Sequence, residues 1–445
     1  MVRWGSGLAT GAAAAAVLMA SCTPTPAPPM PAPTPVAPPP LPPPGPAPSP
    51  IPGAGAQQPA EVMFRVGLAV GAAGVTVAGL GGLHVTDPSG TRLAEIPEGE
   101  VWRLTVQGTG LVVLAPGGGA STPSEAVALS STRPEALILV DGRPYRGTVS
   151  ALRDRTGVTV VNRLPMESYL LGVVSAEMGR RNSLEQEALR AQAIVSRTFA
   201  LRNLRRWQAL GFDAYATVAD QVYGGAAAET PEGRAAVEAT RGMILTYGGA
   251  PIDAFFYSTC GGHTADGTEV FRAANRPYLR SVPDLAEDGI AYCSLSPRFR
   301  WHEEWTGQAL RATLQRTLPT LPPGTMGTAA GDVSRVTDVR VSLRTPSGRV
   351  GRLAISLPRG DVLVDGPGVR QVLRPVSGGL LRSSVFDLAV SRAGGQVVRL
   401  VADGAGAGHG VGFCQWGAVG RARRGQEHQQ ILTAYYPGAV LERLY

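Results

Sequence analysis

The sequence predicts a mixed α+β fold, in which a central pair of helices follows a β-rich lead-in and precedes an inserted α/β segment. Three observations favour this class. Short apolar runs separated by Gly, Pro, Asp and Ser dominate residues 62–160. Helical periodicity then replaces them between Leu164 and Leu201. Strand-like and helical runs alternate again at about residues 300–400, and 445 residues are enough for two or three domains.

The first 22 residues have the pattern of a bacterial lipoprotein signal peptide. Arg3 precedes a short Ala-rich apolar stretch, which is too short for a stable membrane span. Met19-Ala20-Ser21-Cys22 then resembles a lipobox. We therefore expect a lipid on Cys22 that anchors the chain in a membrane, with the protein acting outside the cytoplasm in the cell envelope. Ordinary secretion with an incidental cysteine is the alternative.

Composition separates a tether from the folded part. Residues 23–61 are mostly Pro and Ala, which favours an extended polyproline II spacer with no core. The β-rich region at 62–160 contains one His, no Cys and no cluster of carboxylates, so it is read as a scaffold or binding module. The net charge is +7, but no basic run is interleaved with aromatic residues, which argues against nucleic acid as a partner.

The stretch from Leu164 to Leu201 predicts two consecutive helices. Pro165 suits a first helical position, and Gly179 ends the first helix. Ser183 with Gln186 has the spacing of a capping box for the second helix. The apolar stripe of that helix is Leu184, Ala188, Ala191, Val195 and Phe199.

Glu177 is the candidate acid of this helical pair. It lies in the last turn of the first helix, where the negative end of the helix dipole disfavours a further negative charge. A carboxyl in this position tends to keep its proton, which suits a general acid. Three other acidic residues of the pair are assigned to solvated faces: Glu167, Glu185 and Glu187. A Glu on a helix is usually a surface residue, so position alone does not decide its role.

Several separated segments resemble the SpoIID/LytB family, which is named after stage II sporulation protein D and an amidase enhancer. The matching segments are LPMESYLLGVVSAEM, ALRAQAIVSRTFAL, DQVYGG, ATRGMILTYGGAPIDAFFYSTCGGHT, RPYLRSVPD and GHGVGFCQWGAVGRARRGQEHQQILTAYYPG. Their order and spacing also fit, and the resemblance covers residues 62–445. It implies a catalytic-like domain at 161–445 that is interrupted by the inserted segment at about 300–400.

The resemblance implies a peptidoglycan lytic transglycosylase. Such enzymes cleave glycan strands between N-acetylmuramic acid and N-acetylglucosamine and leave 1,6-anhydro ends, and the sporulation member is associated with strands stripped of stem peptides. The catalytic carboxyl is the Glu of the VxxEM segment, which is Glu177 here. One carboxyl and no cofactor are enough, because the tethered 6-hydroxyl of the sugar replaces the second carboxyl that a hydrolase needs.

We expect a role in wall remodelling or division. A non-catalytic enhancer that binds glycan and stimulates a cell-wall amidase is the main alternative. A purely structural envelope lipoprotein is a third reading, against which the density of motifs argues.

Six further residues are candidates for substrate binding. Two lie on the second helix and are suited either to sugar contacts or to polar contacts between helices. The aromatic residue of DQVYGG is suited to stacking on a sugar ring or to the core. The other three lie in or beside Gly-rich loops, where backbone approaches a ligand closely, and the histidine among them is a candidate for positioning or proton sharing. The six are Gln192, Arg197, Tyr223, Ser258, His409 and Gln415.

Three cysteines remain beyond Cys22, and three readings of them stay open: a zinc site, one disulfide plus a free cysteine, or unlinked thiols. Cys260 and His263 have a C-x2-H spacing, and Cys293 and Cys414 would complete a Cys3His tetrahedron for a structural zinc ion. The family commonly has Ser at the positions of Cys260 and Cys414, and some members bind zinc near the catalytic Glu. The rival is one disulfide plus a free cysteine in an oxidising compartment. The odd count favours metal.

Overall fold

A computed structural model describes residues 61–271, 274–321 and 332–445. The predicted signal peptide with its lipidation site Cys22 lies outside these residues, as does the predicted tether up to residue 60. Within the described ranges, no helix is long and apolar enough to cross a membrane. The expected mixed α+β class is confirmed, since several sheets and helices alternate along the chain.

The described chain opens with a β-rich region of short strands, which one later strand joins. They are β1 (Met63–Ala72), β2 (Gly74–Gly79), β3 (Leu83–Thr86), β4 (Arg92–Ile96), β5 (Trp102–Gln107), β6 (Gly110–Leu114), β7 (Ala126–Ser131), β8 (Ile138–Val140), β9 (Arg143–Tyr145), β10 (Thr148–Arg153), β11 (Val158–Pro165) and the later β12 (Ala214–Tyr215). One sheet has the order β12-β1-β11-β10-β7-β3-β4, and a second has the order β6-β5-β2-β8-β9.

Strand β11 connects this region to the helices. It pairs antiparallel with both β1 and β10, so it lies inside the larger sheet and most of its residues are buried. The predicted helical pair follows directly as α1 (Met166–Met178) and α2 (Gln186–Arg202). Pro165 is the residue before the first helical position rather than that position itself, and Gly179 ends α1 with a φ of 69°.

The start of α2 differs from the prediction. Asn182, not Ser183, makes the capping box, and its partner is Glu185 rather than Gln186. A short 3-10 turn precedes α2, which moves the cap one residue towards the N-terminus. Leu184 belongs to this turn and is 70 % exposed, so it does not join the apolar stripe. The other four predicted stripe residues are buried.

The chain then continues through short elements that pack on the helical pair: α3 (Pro231–Ala239), β13 (Met243–Tyr247), β14 (Ala250–Pro251), β15 (Phe256–Tyr257) and α4 (Gly267–Val270). Their apolar residues share one hydrophobic core with the β-rich region and with α1 and α2. The helices therefore sit on a framework that the lead-in helps to build.

The segment at about 300–400 has a hydrophobic core of its own. Its elements are β16 (Arg300–Thr306), α5 (Gly307–Thr317), β17 (Asp338–Arg344), β18 (Val350–Leu357), β19 (Gly360–Asp365), α6 (Gly368–Val372), β20 (Phe386–Ala393) and β21 (Gln396–Ala405). They form two three-stranded sheets with the orders β16-β21-β20 and β17-β18-β19.

After this segment the chain returns to the helical pair. The last elements are β22 (Phe413–Cys414), α7 (Gln415–Arg423), α8 (His428–Tyr435) and β23 (Val440–Arg443). β22 pairs in parallel with β15, with Tyr257 opposite Cys414, and β23 pairs antiparallel with β13. The loop after β15 is thereby brought against the start of α7.

Candidate active site

Glu177 lies in the last turn of α1, and hydrogen bonds from two separate segments hold its carboxyl group. The backbone N–H of Val222 donates to Oε1 at 2.7 Å, and the side-chain amide of Gln415 donates to Oε2 at 3.2 Å. Val222 belongs to the loop before α3, and Gln415 is the first residue of α7. The predicted residues Glu177 and Gln415 are therefore brought together, although 238 positions separate them.

Burial sets the electrostatics of Glu177. The residue is half-buried, and the loss of solvent raises the pKa of the Glu177 carboxyl, while the bonds from Val222 and Gln415 offset part of that rise. In the described part of the chain, Glu177 forms no ion pair that would keep it charged. The direction agrees with the expectation from its place in the helix, although burial is the largest cause. A carboxyl that keeps its proton in this way suits a general acid.

Gln192 holds the side chain of Gln415, which donates to Glu177. Its side chain is fully buried, its Oε1 accepts a hydrogen bond from Gln415 at 3.4 Å, and its amide donates to Ser196 at 2.9 Å. These contacts agree with the alternative of polar contacts between helices, and the predicted contact with sugar stays a prediction. Gln192 fixes which way the Gln415 amide points, since an acceptor on Gln415 would face an acceptor on Gln192.

The loop that supplies the Val222 N–H is itself held by buried polar contacts. The Tyr169 hydroxyl donates to Gln221 Oε1 at 3.0 Å, and both residues are fully buried. Asp220 accepts hydrogen bonds from the Trp207 indole at 2.8 Å and from Arg206 at 3.2 Å. These residues were not predicted as parts of the site, although DQVYGG was one of the segments that carried the family resemblance.

Arg197 is a structural residue, which corrects its predicted contact with substrate. Its side chain is fully buried, and it makes two hydrogen bonds of 2.8 and 2.6 Å to the Glu167 carboxylate. A third bond of 2.9 Å goes to the Met243 carbonyl oxygen. The pair therefore links α1, α2 and β13. It also corrects the assignment of Glu167 to a solvated face, because the residue is 6 % exposed.

Glu185 and Glu187 also form ion pairs and hydrogen bonds instead of lying on solvated faces. Glu185 is 3 % exposed and pairs with Arg423 of α7 at 2.6 Å. Glu187 is half-buried and accepts hydrogen bonds from Arg190 at 2.5 Å and from the His428 backbone N–H at 2.9 Å. Local periodicity missed these contacts, because the basic partners of Glu185 and Glu187 on α7 and α8 come from the far end of the chain.

Tyr223 and His409 are packing residues, which corrects their predicted contact with substrate. The Tyr223 ring is buried against Tyr169, and its hydroxyl donates to Asn162 at 2.8 Å. His409 Nδ1 accepts from a backbone N–H, so Nε2 carries the proton and donates to the Phe256 carbonyl at 2.8 Å. Burial lowers the pKa of His409 to about 4, and a neutral ring with both nitrogens engaged does not share protons.

Ser258 lies next to the site through its backbone. Its carbonyl oxygen accepts a hydrogen bond from the Trp416 N–H at 3.0 Å, while its hydroxyl is 3.2 Å from that of Thr259. Ser258 is half-buried and follows β15 directly. It therefore helps to seat the first turn of α7, which carries Gln415, and its predicted contact with substrate stays a prediction.

The three remaining cysteines are brought together in the core as free thiols. Asp284, rather than the predicted His263, completes the group around Cys260, Cys293 and Cys414. His263 is exposed, and its Nδ1 lies 2.9 Å from the Thr264 carbonyl oxygen. The expected C-x2-H ligand pair is therefore wrong, because the chain turns after Cys260 and directs the ring towards solvent.

Comparison with known proteins identifies the family. The SpoIID model, described as stage II sporulation protein, matches residues 154–247. A domain of unknown function matches residues 292–412, which includes the segment with the second core. The chain is 30% identical to stage II sporulation protein D of Bacillus subtilis (strain 168) over 302 residues, which are 64% of this chain and 77% of that protein.

The chain belongs to the SpoIID family. Two other proteins are also similar to this SpoIID family member. An uncharacterized protein of Brachyspira hyodysenteriae is 29% identical over 302 residues, which are 67% of this chain and 72% of that protein. The amidase enhancer of Bacillus subtilis is 28% identical over 340 residues, which are 68% of this chain but only 45% of the enhancer.

The matched region of this SpoIID protein holds only part of the site. Residues 154–247 include Glu177 and Val222, whereas Gln415 and the cysteines lie outside them. Asp284 was missed, although it stands in RPYLRSVPD, one of the segments that carried the resemblance. A buried carboxylate is rarely unpaired, but the sequence carries no signal that this one is buried.

Proposed function

We propose that this protein is a lytic transglycosylase that cleaves peptidoglycan glycan strands between N-acetylmuramic acid and N-acetylglucosamine. The observation that carries the proposal is the half-buried Glu177 carboxyl, with its raised pKa and its two fixed hydrogen bonds. Relatives named for sporulation and for amidase enhancement support a cell-wall-related role. No cofactor is needed for this chemistry.

The reaction balances with one carboxyl group. Glu177 donates its proton to the glycosidic oxygen as the bond from that oxygen to C1 of the muramic residue breaks. The 6-hydroxyl oxygen of the same sugar then bonds to C1 and closes the 1,6-anhydro ring. Its proton passes to Glu177, which is thereby restored, and no water is consumed. The hydroxyl is already tethered to the reacting sugar, so proximity replaces a second catalytic group.

Two other carboxylates of this region are poor candidates for a second catalytic group. A hydrolase of this kind needs a second carboxyl about 5 to 9.5 Å from the first. Asp220, two positions from Val222 in the loop that holds Glu177, has a fully buried side chain that is engaged by Arg206 and Trp207. Glu167 is held by Arg197. Carboxylates held in ion pairs stay charged, and their oxygens are already engaged by the cations, so they do not suit the role of the second group.

The enhancer of a cell-wall amidase is the second candidate function. The amidase enhancer relative favours it, and an amidase is then the expected partner. In that case the domain would bind glycan without breaking it. Lipid anchoring through Cys22, and action outside the cytoplasm, remain proposals that fit either function.

Digestion of purified peptidoglycan tests the proposal. The full-length chain is incubated with glycan strands from which an amidase has removed the stem peptides, and with intact peptidoglycan, and products are analysed by mass spectrometry. We expect products with 1,6-anhydro ends, and more of them from the peptide-free strands. Glu177→Gln should lose at least about 100-fold in rate, because a general acid contributes roughly 10²–10⁴.

Glu238→Gln is the matched control. It makes the same chemical change on α3, where the Glu238 side chain is 67% exposed and lies 4.0 Å from its nearest cation, so activity should be unchanged. Products with reducing ends would indicate hydrolysis and would refute the transglycosylase chemistry. No cleavage by the wild type, combined with faster amidase turnover on its addition, would favour the enhancer instead.

A further inference from the structure

Three thiols and one carboxylate converge in the core beside the start of α7. Cys260, Cys293, Cys414 and Asp284 are each at most 2 % exposed. One ligand atom from each residue lies within 4.8 Å of all the others. Cys260 Sγ is 3.3 Å from Cys293 Sγ and 3.1 Å from Asp284 Oδ2. Three thiol sulfurs and a carboxylate oxygen this close together form a set of atoms that one metal ion could share.

The spacing suits ligands around one ion. A tetrahedral site with Zn–S bonds of about 2.3 Å has S–S edges of about 3.8 Å. A disulfide bond is about 2.05 Å long. The 3.3 Å between the Cys260 and Cys293 sulfurs is closer to the edge of a tetrahedron than to a covalent bond.

Outer contacts orient Asp284 as a ligand. Its Oδ1 accepts a hydrogen bond from the Tyr435 hydroxyl at 2.8 Å and pairs with Arg421 at 3.0 Å. Its Oδ2 is thereby left facing Cys260. Hydrogen bonds of this kind on the remote atom of a ligand are typical of metal sites, since they fix the orientation of the ligand. Gly417 is required here, because a Cβ at that position would collide with the Asp284 carboxylate.

Backbone donors face the sulfurs. The N–H groups of Cys260 and Gly417 each lie 3.2 Å from Cys414 Sγ, and the N–H of Gly262 lies 3.3 Å from Cys260 Sγ. Cys414 also caps the N-terminus of α7, where the helix dipole favours negative charge. Donors placed in this way suit metal-bound sulfur, because they fix the orientation of the ligand.

We infer that one structural zinc ion binds in this cluster through four ligands: Cys260, Asp284, Cys293 and Cys414. Zinc accepts cysteine sulfur and aspartate oxygen in tetrahedral geometry, and soft thiolates select it over the hard cations. Binding releases the thiol protons. Four protein ligands leave no open position for substrate, so the ion would stabilise the fold. The inference does not depend on the chemistry of Glu177.

The site would join segments that are distant in sequence. It ties the loop after β15, the segment around Asp284 and Cys293, and the end of β22 into one cross-link. Gln415 follows Cys414 directly, so the same cross-link would hold the residue that donates to Glu177. Loss of the metal should therefore loosen the first turn of α7 as well as lower the thermal stability.

Metal and thiol contents of the wild-type protein provide the first test. The full-length chain is purified without chelator or reductant, and zinc is measured by mass spectrometry. We expect about one zinc per chain, and three core thiols that react with a thiol reagent only after unfolding with EDTA. The absence of metal together with two missing thiols would indicate a disulfide and overturn the inference. Three reactive thiols without metal, and without zinc uptake, would overturn it as well.

Ligand variants provide the second test. Replacement of zinc by cobalt should produce sulfur-to-cobalt charge-transfer absorption and intense tetrahedral bands. Cys293→Ser and Asp284→Ala should weaken or abolish these bands, and far-UV circular dichroism checks that each variant is folded. His263→Ala is the matched control and should bind cobalt like the wild type. Loss of binding in His263→Ala, with binding intact in Asp284→Ala, would refute the ligand set. Glu177→Gln should bind metal normally, which separates this inference from the proposed activity.

Discussion

Replacement of Arg197 by Met tests whether this residue holds the fold or contacts the substrate. The substitution keeps an unbranched side chain of similar length but removes the guanidinium. It leaves the Glu167 carboxylate buried with only the Tyr445 hydroxyl at 2.6 Å and the Gly242 N–H at 3.3 Å as donors. Removal of one partner of a buried ion pair costs about 3–5 kcal/mol. The bond to the Met243 carbonyl adds about 1 kcal/mol.

A loss of about 4–6 kcal/mol would be a large share of the total stability of an ordinary domain, which is about 5–15 kcal/mol. The double variant Arg197→Met/Glu167→Gln should recover about half of the loss, because a neutral amide at position 167 still accepts both remaining hydrogen bonds. Arg298→Met, at an exposed position, is the control and should change little.

The assay must separate the two hydrophobic cores, which need not unfold together. Urea unfolding can be monitored by hydrogen exchange in peptides from α2. This measurement reports the stability of the core that contains Arg197. The pKa of Glu167 makes the stability depend on pH. Burial raises this pKa, but the hydrogen bonds and charge of Arg197 lower it by more, so the net shift is downward. The pair therefore stabilises the fold above the unfolded pKa of about 4.3.

This stabilisation should be lost as the pH falls through the lower folded pKa of Glu167. The difference in stability between the wild type and Arg197→Met should narrow below about pH 4, because the Glu167 carboxyl then becomes protonated in both proteins. An Arg197→Met variant that unfolds at the same urea concentration as the wild type, but binds glycan strands more weakly, would refute this account and restore Arg197 as a substrate contact.

Three further predictions concern single side chains. Glu177→Gln should be more stable than the wild type at neutral pH, because burial raises the pKa of Glu177 and its stabilising contribution is lost as the pH rises through that folded pKa; equal urea midpoints of Glu177→Gln and wild type at pH 7 would contradict this. Tyr223→Phe should lose about 1–3 kcal/mol of stability by leaving Asn162 Oδ1 unpaired, with KM for glycan unchanged; a raised KM with full stability would indicate contact with sugar. His409 by itself should lower the stability by about 3 kcal/mol as the pH drops from 7 to 4, because unfolded His409 takes up a proton near 6.5 and the folded residue only at about 4; His409→Gln should lack that part of the slope in urea titrations at each pH.

Local patterns were sufficient for the elements around Glu177. Apolar spacing and Gly179 predicted the first helix and its end, so the place of Glu177 in the last turn followed from the sequence. Gln415 was predicted to be a site residue because it follows a Gly-rich loop, and it does contact Glu177. The pairing of β22 with β15 that brings it there could not be predicted, since nothing local specifies which strands pair.

Local sequence patterns predicted the mixed α+β class, the helical pair and the residue types available for chemistry. The role of each side chain, in contrast, depends on contacts that form only when the chain folds. Arg197, Tyr223 and His409 became packing residues because distant segments buried them and occupied their polar atoms. Asp284 took the place expected for His263 because the turn after Cys260 points the ring towards solvent. A side chain's role depends on solvent exclusion and on its partners, and both are properties of the folded chain.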